Sequence, residues 1–173
     1  MSLSYQIFFV PHLKDRKKLS ALRQKLCKQC KSNAALQYPV HMSFILGAKI
    51  RDYNKFEKDI KKFCKNQKQQ TLITSKLTTV LPRRNWSGIN IKHTKELDLF
   101  RKKIRNLISK YSLERKPMRF IPHITLVFRT DVSKLKKIKN PVNDLLMDRL
   151  TIAKKEKDGM PYRILKHIKL KKL

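Results

Sequence analysis

Two stretches decide how this chain is read: Pro39-Val40-His41-Met42-Ser43-Phe44-Ile45 and Ile121-Pro122-His123-Ile124-Thr125-Leu126-Val127. Each carries His, an apolar residue, Ser or Thr, then another apolar residue. Side chains alternate faces along a strand, so His41 and Ser43 project to one side while Val40, Met42 and Phe44 pack to the other. The same alternation sets His123 and Thr125 against Ile124, Leu126 and Phe128. Among the five histidines of the chain, a matched pair of such patterns is expected by chance only ~0.003 times. The competing account is two core histidines, each satisfied within its own strand.

Working outward, Tyr5 to Val10 reads as an opening strand closed by Pro11. Asp15 is placed to cap a helix with Leu19, Leu22, Leu26 and Cys30 at helical spacing. The first histidine motif then lies in a strand from Val40 to Leu46, ended by Gly47. A second helix begins near Asp52, with Tyr53, Phe56, Ile60, Phe63 and Cys64 on one face. Thr71 to Leu81 and Trp86 to Ile91 read as strands. Thr94 caps a third helix striped by Leu97, Phe100, Ile104, Leu107, Ile108 and Tyr111. Lys116-Pro117 breaks it, and a strand follows from Phe120 to Arg129. Leu146 to Ala153 and Tyr162 to Leu170 read as the arms of a closing hairpin turned at Asp158-Gly159. Short connections between strands favour antiparallel pairing, and the fold class is α+β. Residues 1–173 are read as a single domain of two pseudo-symmetric lobes, each supplying one His-x-Ser/Thr strand.

Composition bounds the partners. Of 173 residues, 43 are Lys or Arg and 12 are Asp or Glu, giving a net charge of +31. Such a surface attracts polyanions, nucleic acid first among them, although a lysine-rich solvated surface would give the same total. Apolar residues make up 40%, enough for a packed core. No run approaches the ~20 apolar residues of a membrane span. Ser4–Val10 reads as a strand and not as a signal peptide. Three cysteines are expected to be reduced thiols in a cytoplasmic protein. With three glycines in the chain, a phosphate-binding glycine loop is excluded, and with it the usual nucleotide-dependent chemistries.

Two His-x-Ser/Thr strands side by side would gather two imidazoles and two hydroxyls. One imidazole can take a proton from an attacking oxygen while the other gives one to the leaving oxygen. Imidazole suits both tasks because its ordinary pKa lies near neutrality. Hydroxyls can donate to non-bridging phosphate oxygens as charge builds there. The pattern therefore points to phosphodiester cleavage.

At these residues the chain resembles the 2H phosphoesterase superfamily, and within it the RNA 2′,3′-cyclic phosphodiesterases, also known as 2′-5′ RNA ligases. The likeness rests on Pro39 to Gly47 and Phe120 to Val127. It extends to Tyr5–Val10, Trp86-Ser87-Gly88-Ile89 and Leu150–Leu170. It implies a bilobal fold with two antiparallel sheets around a central groove and helices outside. It implies that His41 and His123 are catalytic and that Ser43 and Thr125 bind phosphate, with no metal or other cofactor. One histidine would protonate the leaving oxygen and the other activate water; His41 is assigned the acid and His123 the base. The expected partner is RNA or an oligonucleotide with a cyclic phosphate or 2′-5′ linkage, and the expected state a monomer. Cleavage of 2′-5′ oligoadenylate, trimming of 3′ RNA ends, reversal to join RNA ends, and a non-catalytic RNA-binding role remain open.

Several side chains are candidate substrate contacts. Arg129 follows Thr125 on the same face, and Arg119 precedes the second motif. Phe8, Trp86, Phe120 and Tyr162 are candidate base-stacking rings, with a core role the alternative for each. His12, His93 and His167 lack a hydroxyl two residues on and read as surface or edge residues. Cys27 and Cys30 have CxxC spacing, but no second pair accompanies them, and a structural role is expected. Asp144 and Asp148 carry no sign of a paired-carboxylate site.

Overall fold

The three amphipathic stripes form helices: α1 at Leu13–Gln29, α2 at Tyr53–Lys65 and α3 at Lys95–Ser109. Between and around them run strands β1 (Ser4–Phe9), β2 (Met42–Ala48), β3 (Gln70–Thr79), β4 (Trp86–Ile91), β5 (His123–Phe128), β6 (Asp144–Met147), β7 (Arg149–Lys155) and β8 (Arg163–Lys169). The computed structural model describes residues 4–79, 86–112, 120–128, 138–156 and 161–172.

Helix starts follow local chemistry. The Asp52 carboxylate accepts from the backbone N–H of Lys55 at 3.0 Å, and the Thr94 hydroxyl accepts from that of Leu97 at 3.1 Å. Each such cap is worth ~1 kcal/mol. Helix α1 differs from expectation. It begins two residues before Asp15, after an uncapped His12, and Asp15 sits within its first turn. There the carboxylate favours the positive end of the helix without capping it.

Every strand pair is antiparallel, and the order is β6-β3-β4-β5-β2-β1-β7-β8. The order divides into two four-stranded halves that meet at a single residue pair, Met42 with Ile124. One half, β2-β1-β7-β8, combines the two ends of the chain. The other, β6-β3-β4-β5, is built from its middle. The expected closing hairpin is therefore corrected at one arm. Leu146 lies in β6 against β3, while β7 starts at Arg149 and pairs with β1 and β8. The break falls at Asp148, where the buried positions change from odd (Leu145, Met147) to even (Leu150, Ile152). The Asp158-Gly159 turn and the Lys116-Pro117 break lie outside the described residues.

Helices cross between the halves. Helix α1 follows β1 yet lies on β5, and α3 precedes β5 yet lies on β2, while α2 rests on α3 and β8. The face they cover buries Ile7, Phe9, Met42, Ile124, Leu126 and Ile152, together with Leu19, Leu26, Ile60 and Phe100 from the helices. Each such side chain contributes ~1.5–3 kcal/mol by leaving water. Gly88 lets β4 approach β5 beside Thr125: a Cβ there would stand 2.1 Å from the Ile124 carbonyl oxygen. No helix among the described residues is long and apolar enough to cross a membrane.

Candidate active site

Met42 and Ile124 pair at the join of the two halves with their side chains in the core. In an antiparallel ladder the residues flanking such a pair face each other crosswise. That register turns His41 toward Thr125 and Ser43 toward His123, all on the face away from the core. All four side chains are half-buried.

Both imidazoles are held the same way. His41 Nδ1 lies 2.7 Å from the Pro39 carbonyl oxygen, and His123 Nδ1 lies 2.6 Å from that of Ile121. A carbonyl only accepts, so each Nδ1 carries the proton and each neutral ring leaves Nε2 as an acceptor. The donor–acceptor spacing is a product of the repeated motif, since each acceptor sits two residues before its histidine.

Gln6 completes the first half of the site. It lies on β1, only 3% exposed. Its Nε2 donates to Ser43 Oγ at 2.8 Å and lies 3.2 Å from His41 Nε2. With His41 Nδ1 already donating to Pro39, the amide N–H is the donor in that second contact too. Phe8, two residues on, packs its ring 4.8 Å from the His41 ring, centroid to centroid. Burial lowers the His41 pKa to about 4; the Pro39 carbonyl opposes the shift, and the charges of Arg23 and His123 add to it. His123 is lowered in the same direction by burial, opposed by its bond to Ile121. Both rings are thus biased toward the neutral form.

Arg23, on α1, ties the two motifs together from behind. It is 4% exposed. Its Nη1 donates to the carbonyls of Ala35 (3.1 Å) and Tyr38 (2.6 Å), and its Nη2 to that of Thr125 (2.9 Å). One guanidinium therefore fixes both the segment leading into His41 and the strand carrying His123. Burial holds its pKa down to about 10, against the opposing effect of Cys27.

Sequence reasoning missed Gln6 and Arg23. Each had a signal. Gln6 is the one amide in a stretch that is otherwise aromatic and aliphatic from Tyr5 to Phe9, on the same parity as Phe8. Arg23 interrupts the apolar face of α1 four residues after Leu19. Asn90 was also missed: it pairs with His123 across β4 and β5, and its buried Oδ1 has no hydrogen-bond partner among the described residues.

The other expected contacts fare differently. Arg119 and Arg129 lie outside the described residues. Phe8 abuts His41, buried in a small cluster with Val10, Ala153 and the half-exposed Tyr162. Trp86 meets Phe128 edge-on at 4.7 Å, at the far end of the β4–β5 pair. Phe120 is not with the histidines. It stacks on Phe44 and lies 4.4 Å under the Arg101 guanidinium, on the helix-covered side. Cys27 and Cys30 are free thiols, and Cys27, not Cys30, is the buried one, its Sγ 3.7 Å from the Leu126 carbonyl. No group of three His, Cys, Asp or Glu side chains is gathered as a metal site would need, among the described residues.

No family model and no curated protein sequence matches the chain. Solved structures do. Escherichia coli LigT complexed with 3′-AMP superposes with a TM-score of 0.68 at 15% identity, over 98% of this chain and 99% of that one. The chain has the LigT fold. A phosphoesterase superposes with a TM-score of 0.71 at 14% identity, over 99% of each chain. TT0787 of Thermus thermophilus gives 0.63 at 16%, again over 99% of each. The α+β class expected from the two motifs is the one observed, and the LigT fold is the architecture that the 2H phosphoesterase resemblance implied. Its two expected sheets run into one eight-stranded order through the Met42–Ile124 pair.

Proposed function

We propose that this chain is a phosphodiesterase that opens a 2′,3′-cyclic phosphate at an RNA end to a 2′-phosphate, with His41 and His123 as its acid–base pair. The observation that carries the reading is the matched anchoring of the two imidazoles. Pro39 and Ile121 each hold an Nδ1 proton, so each Nε2 is the acceptor: that of His123 is, among the described residues, open to a substrate, and that of His41 is held by the Gln6 amide until a substrate takes its place. A similar LigT structure holds 3′-AMP, and another similar protein is a phosphoesterase; both agree with a phosphate ester as the substrate class.

The environments of the rings favour a division of labour opposite to the sequence assignment. His41, with a pKa of about 4, enters neutral and suits the base, its Nε2 passing from the Gln6 amide to the attacking water. It takes a proton from water as the water oxygen bonds to phosphorus. The bond from phosphorus to the 3′ oxygen breaks in line, and His123, entering protonated, delivers its proton to that oxygen. Ser43 and Thr125 donate to the non-bridging oxygens while charge accumulates. Proton exchange with solvent then resets the pair. The sum is one water added and one ester bond cut, with no step asked of a metal. The basic surface attracts the rest of the strand.

The test is an RNA ending in a 2′,3′-cyclic phosphate, incubated in EDTA with wild type, His41→Ala and His123→Ala. Conversion to the 2′-phosphate by wild type alone is expected. Loss of wild-type turnover in EDTA, restored by a divalent ion, would defeat the metal-free mechanism. No conversion, alongside cleavage of 2′-5′ oligoadenylate, would move the same groups to that substrate. RNA binding without either reaction would leave a binding protein.

A further inference from the structure

Hydrogen-bonded neighbours in an antiparallel sheet project their side chains from the same face. Ser43 pairs with Phe8, Phe8 with Thr151, and Thr151 with His167. These four residues therefore form a row across β2, β1, β7 and β8, all on the face that carries His41. Three strand spacings separate its ends, so His167 stands ~14 Å from Ser43 along the sheet.

His167 is exposed, yet its ring is fixed. Its Nδ1 lies 2.8 Å from the hydroxyl of Thr151, which is fully buried. In the tautomer where that hydroxyl donates, the ring proton sits on Nε2, on the ring's other side from Thr151. Arg149 shares its face with Thr151, two residues along β7. Asp148 locks it through Nε (2.8 Å) and Nη2 (2.6 Å), which, among the described residues, leaves Nη1 for another acceptor. Arg16, in the first turn of α1, bears on the His167 ring through its charge. Burial, then the charges of Arg149 and Arg16, lower the His167 pKa, with Asp148 opposing. Asp148 is itself engaged by Arg149 and, at 3.7 Å, approached by His12. Arg149 and an anchored imidazole thus stand where the row ends, with the Arg16 charge within electrostatic reach of that imidazole.

We propose that Arg16, Arg149 and His167 form a subsite for an internal phosphate of an RNA strand whose cyclic end lies between His41 and His123. The inference rests on the RNA-end reading and adds to it a preference for oligonucleotides over mononucleotides. A mononucleotide cannot span ~14 Å, whereas an extended strand of a few nucleotides can. Arginine is suited to this role because its planar fork grips phosphate oxygens with directed hydrogen bonds.

The test compares two substrates and one binding measurement. Wild type, Arg16→Ala, the double variant Arg16→Ala/His167→Gln and a control, Lys58→Ala on the exposed side of α2, are assayed on a cyclic mononucleotide and on a five-nucleotide RNA with the same cyclic end. Binding of the 2′-phosphate form of that RNA is followed by anisotropy against salt. The ratio of kcat/KM for the pentamer over the mononucleotide is expected to fall about tenfold in the double variant. It should move less in Arg16→Ala and stay put in Lys58→Ala. The binding slope against log salt should flatten by ~0.7 in the double variant, the change expected when one phosphate of a single strand is no longer neutralised. An unchanged ratio and slope in the double variant, or an equal change in Lys58→Ala, would overturn the subsite. Should wild type turn over neither substrate, the RNA-end reading fails, while the binding slope still decides whether these residues hold a phosphate. Arg16→Ala, at a partly exposed helix position, carries the test if His167→Gln unsettles Thr151.

Discussion

His41 titrates at about 4 in the folded chain against an ordinary 6.5, and stability must respond. Between those two values the unfolded chain takes up a proton that the folded chain refuses. Acid therefore favours unfolding across this window. The contribution is fully present above pH 6.5, is lost as pH falls toward 4, and changes no further below that. At 1.36 kcal/mol per unit, the whole loss is ~3 kcal/mol, of which ~2 kcal/mol has gone by pH 5. The perturbation that isolates it is His41→Asn, whose amide can still donate to the Pro39 carbonyl but does not titrate. Urea unfolding of both proteins at pH 7.5 and pH 5, with linear extrapolation, gives four free energies. Other ionisable groups, including the many surface lysines, cancel in the double difference. Wild type should lose ~2 kcal/mol more than His41→Asn over that interval. Parallel losses, within ~0.5 kcal/mol, would mean that His41 is not desolvated as its surroundings imply, and the base assignment would fall with it.

Activity should carry the same signature. Because both imidazoles are lowered, His41 to about 4 and His123 also below 6.5, the bell of kcat/KM against pH should be centred on the acidic side of 6.5; a bell centred above 7 would contradict it. Gln6→Leu removes the donor that faces His41 Nε2 and Ser43, so the acidic limb should move upward while kcat at the optimum falls ~10-fold. A pH–rate profile with an unmoved acidic limb would relegate Gln6 to packing. Gly88→Ala forces a Cβ against the Ile124 backbone and should cost ~1–3 kcal/mol in urea unfolding; a neutral result would mean that β4 does not approach β5 so closely.

Legibility in the sequence followed the range of each interaction. The histidine strands were readable because everything that defines them is local: the alternation, the hydroxyl two residues on, and the carbonyl two residues back. The caps at Asp52 and Thr94 were readable for the same reason. The pairing of β7 with β1 depends on residues more than a hundred positions apart, and apolar residues on both sides of Asp148-Arg149 let Leu146 to Ala153 read as one strand. Gln6 and Arg23 belong to the same class. A glutamine in a strand and an arginine in a helix have no fixed meaning until the topology shows what they face. Phe120 was misplaced by proximity: it sits three residues before His123, but the chain turns its ring to the Phe44 side.

The join between the two halves explains why the site is where it is. Elsewhere neighbouring strands share several paired residues, whereas β2 and β5 share Met42–Ile124 alone. A longer ladder there would draw the two strands together beyond that pair and close the space that a phosphate needs between two imidazoles. A single pair fixes the crosswise placement of His41, Ser43, His123 and Thr125, then lets the strands part. The stiffness that such a short ladder lacks is supplied from the other face. Helix α1 crosses to β5, α3 crosses to β2, and Arg23 bonds to both motif segments at once. Replacing Arg23 with Leu would leave the buried Ala35 carbonyl without this donor, at ~1–3 kcal/mol, and take it from the part-buried carbonyls of Tyr38 and Thr125 at less. It would also remove a charge that lowers the His41 pKa. The two consequences separate by measurement. A merely structural arginine would change stability alone. An arginine that holds the site open and tuned would, in the fraction that stays folded, also shift the acidic limb of kcat/KM upward.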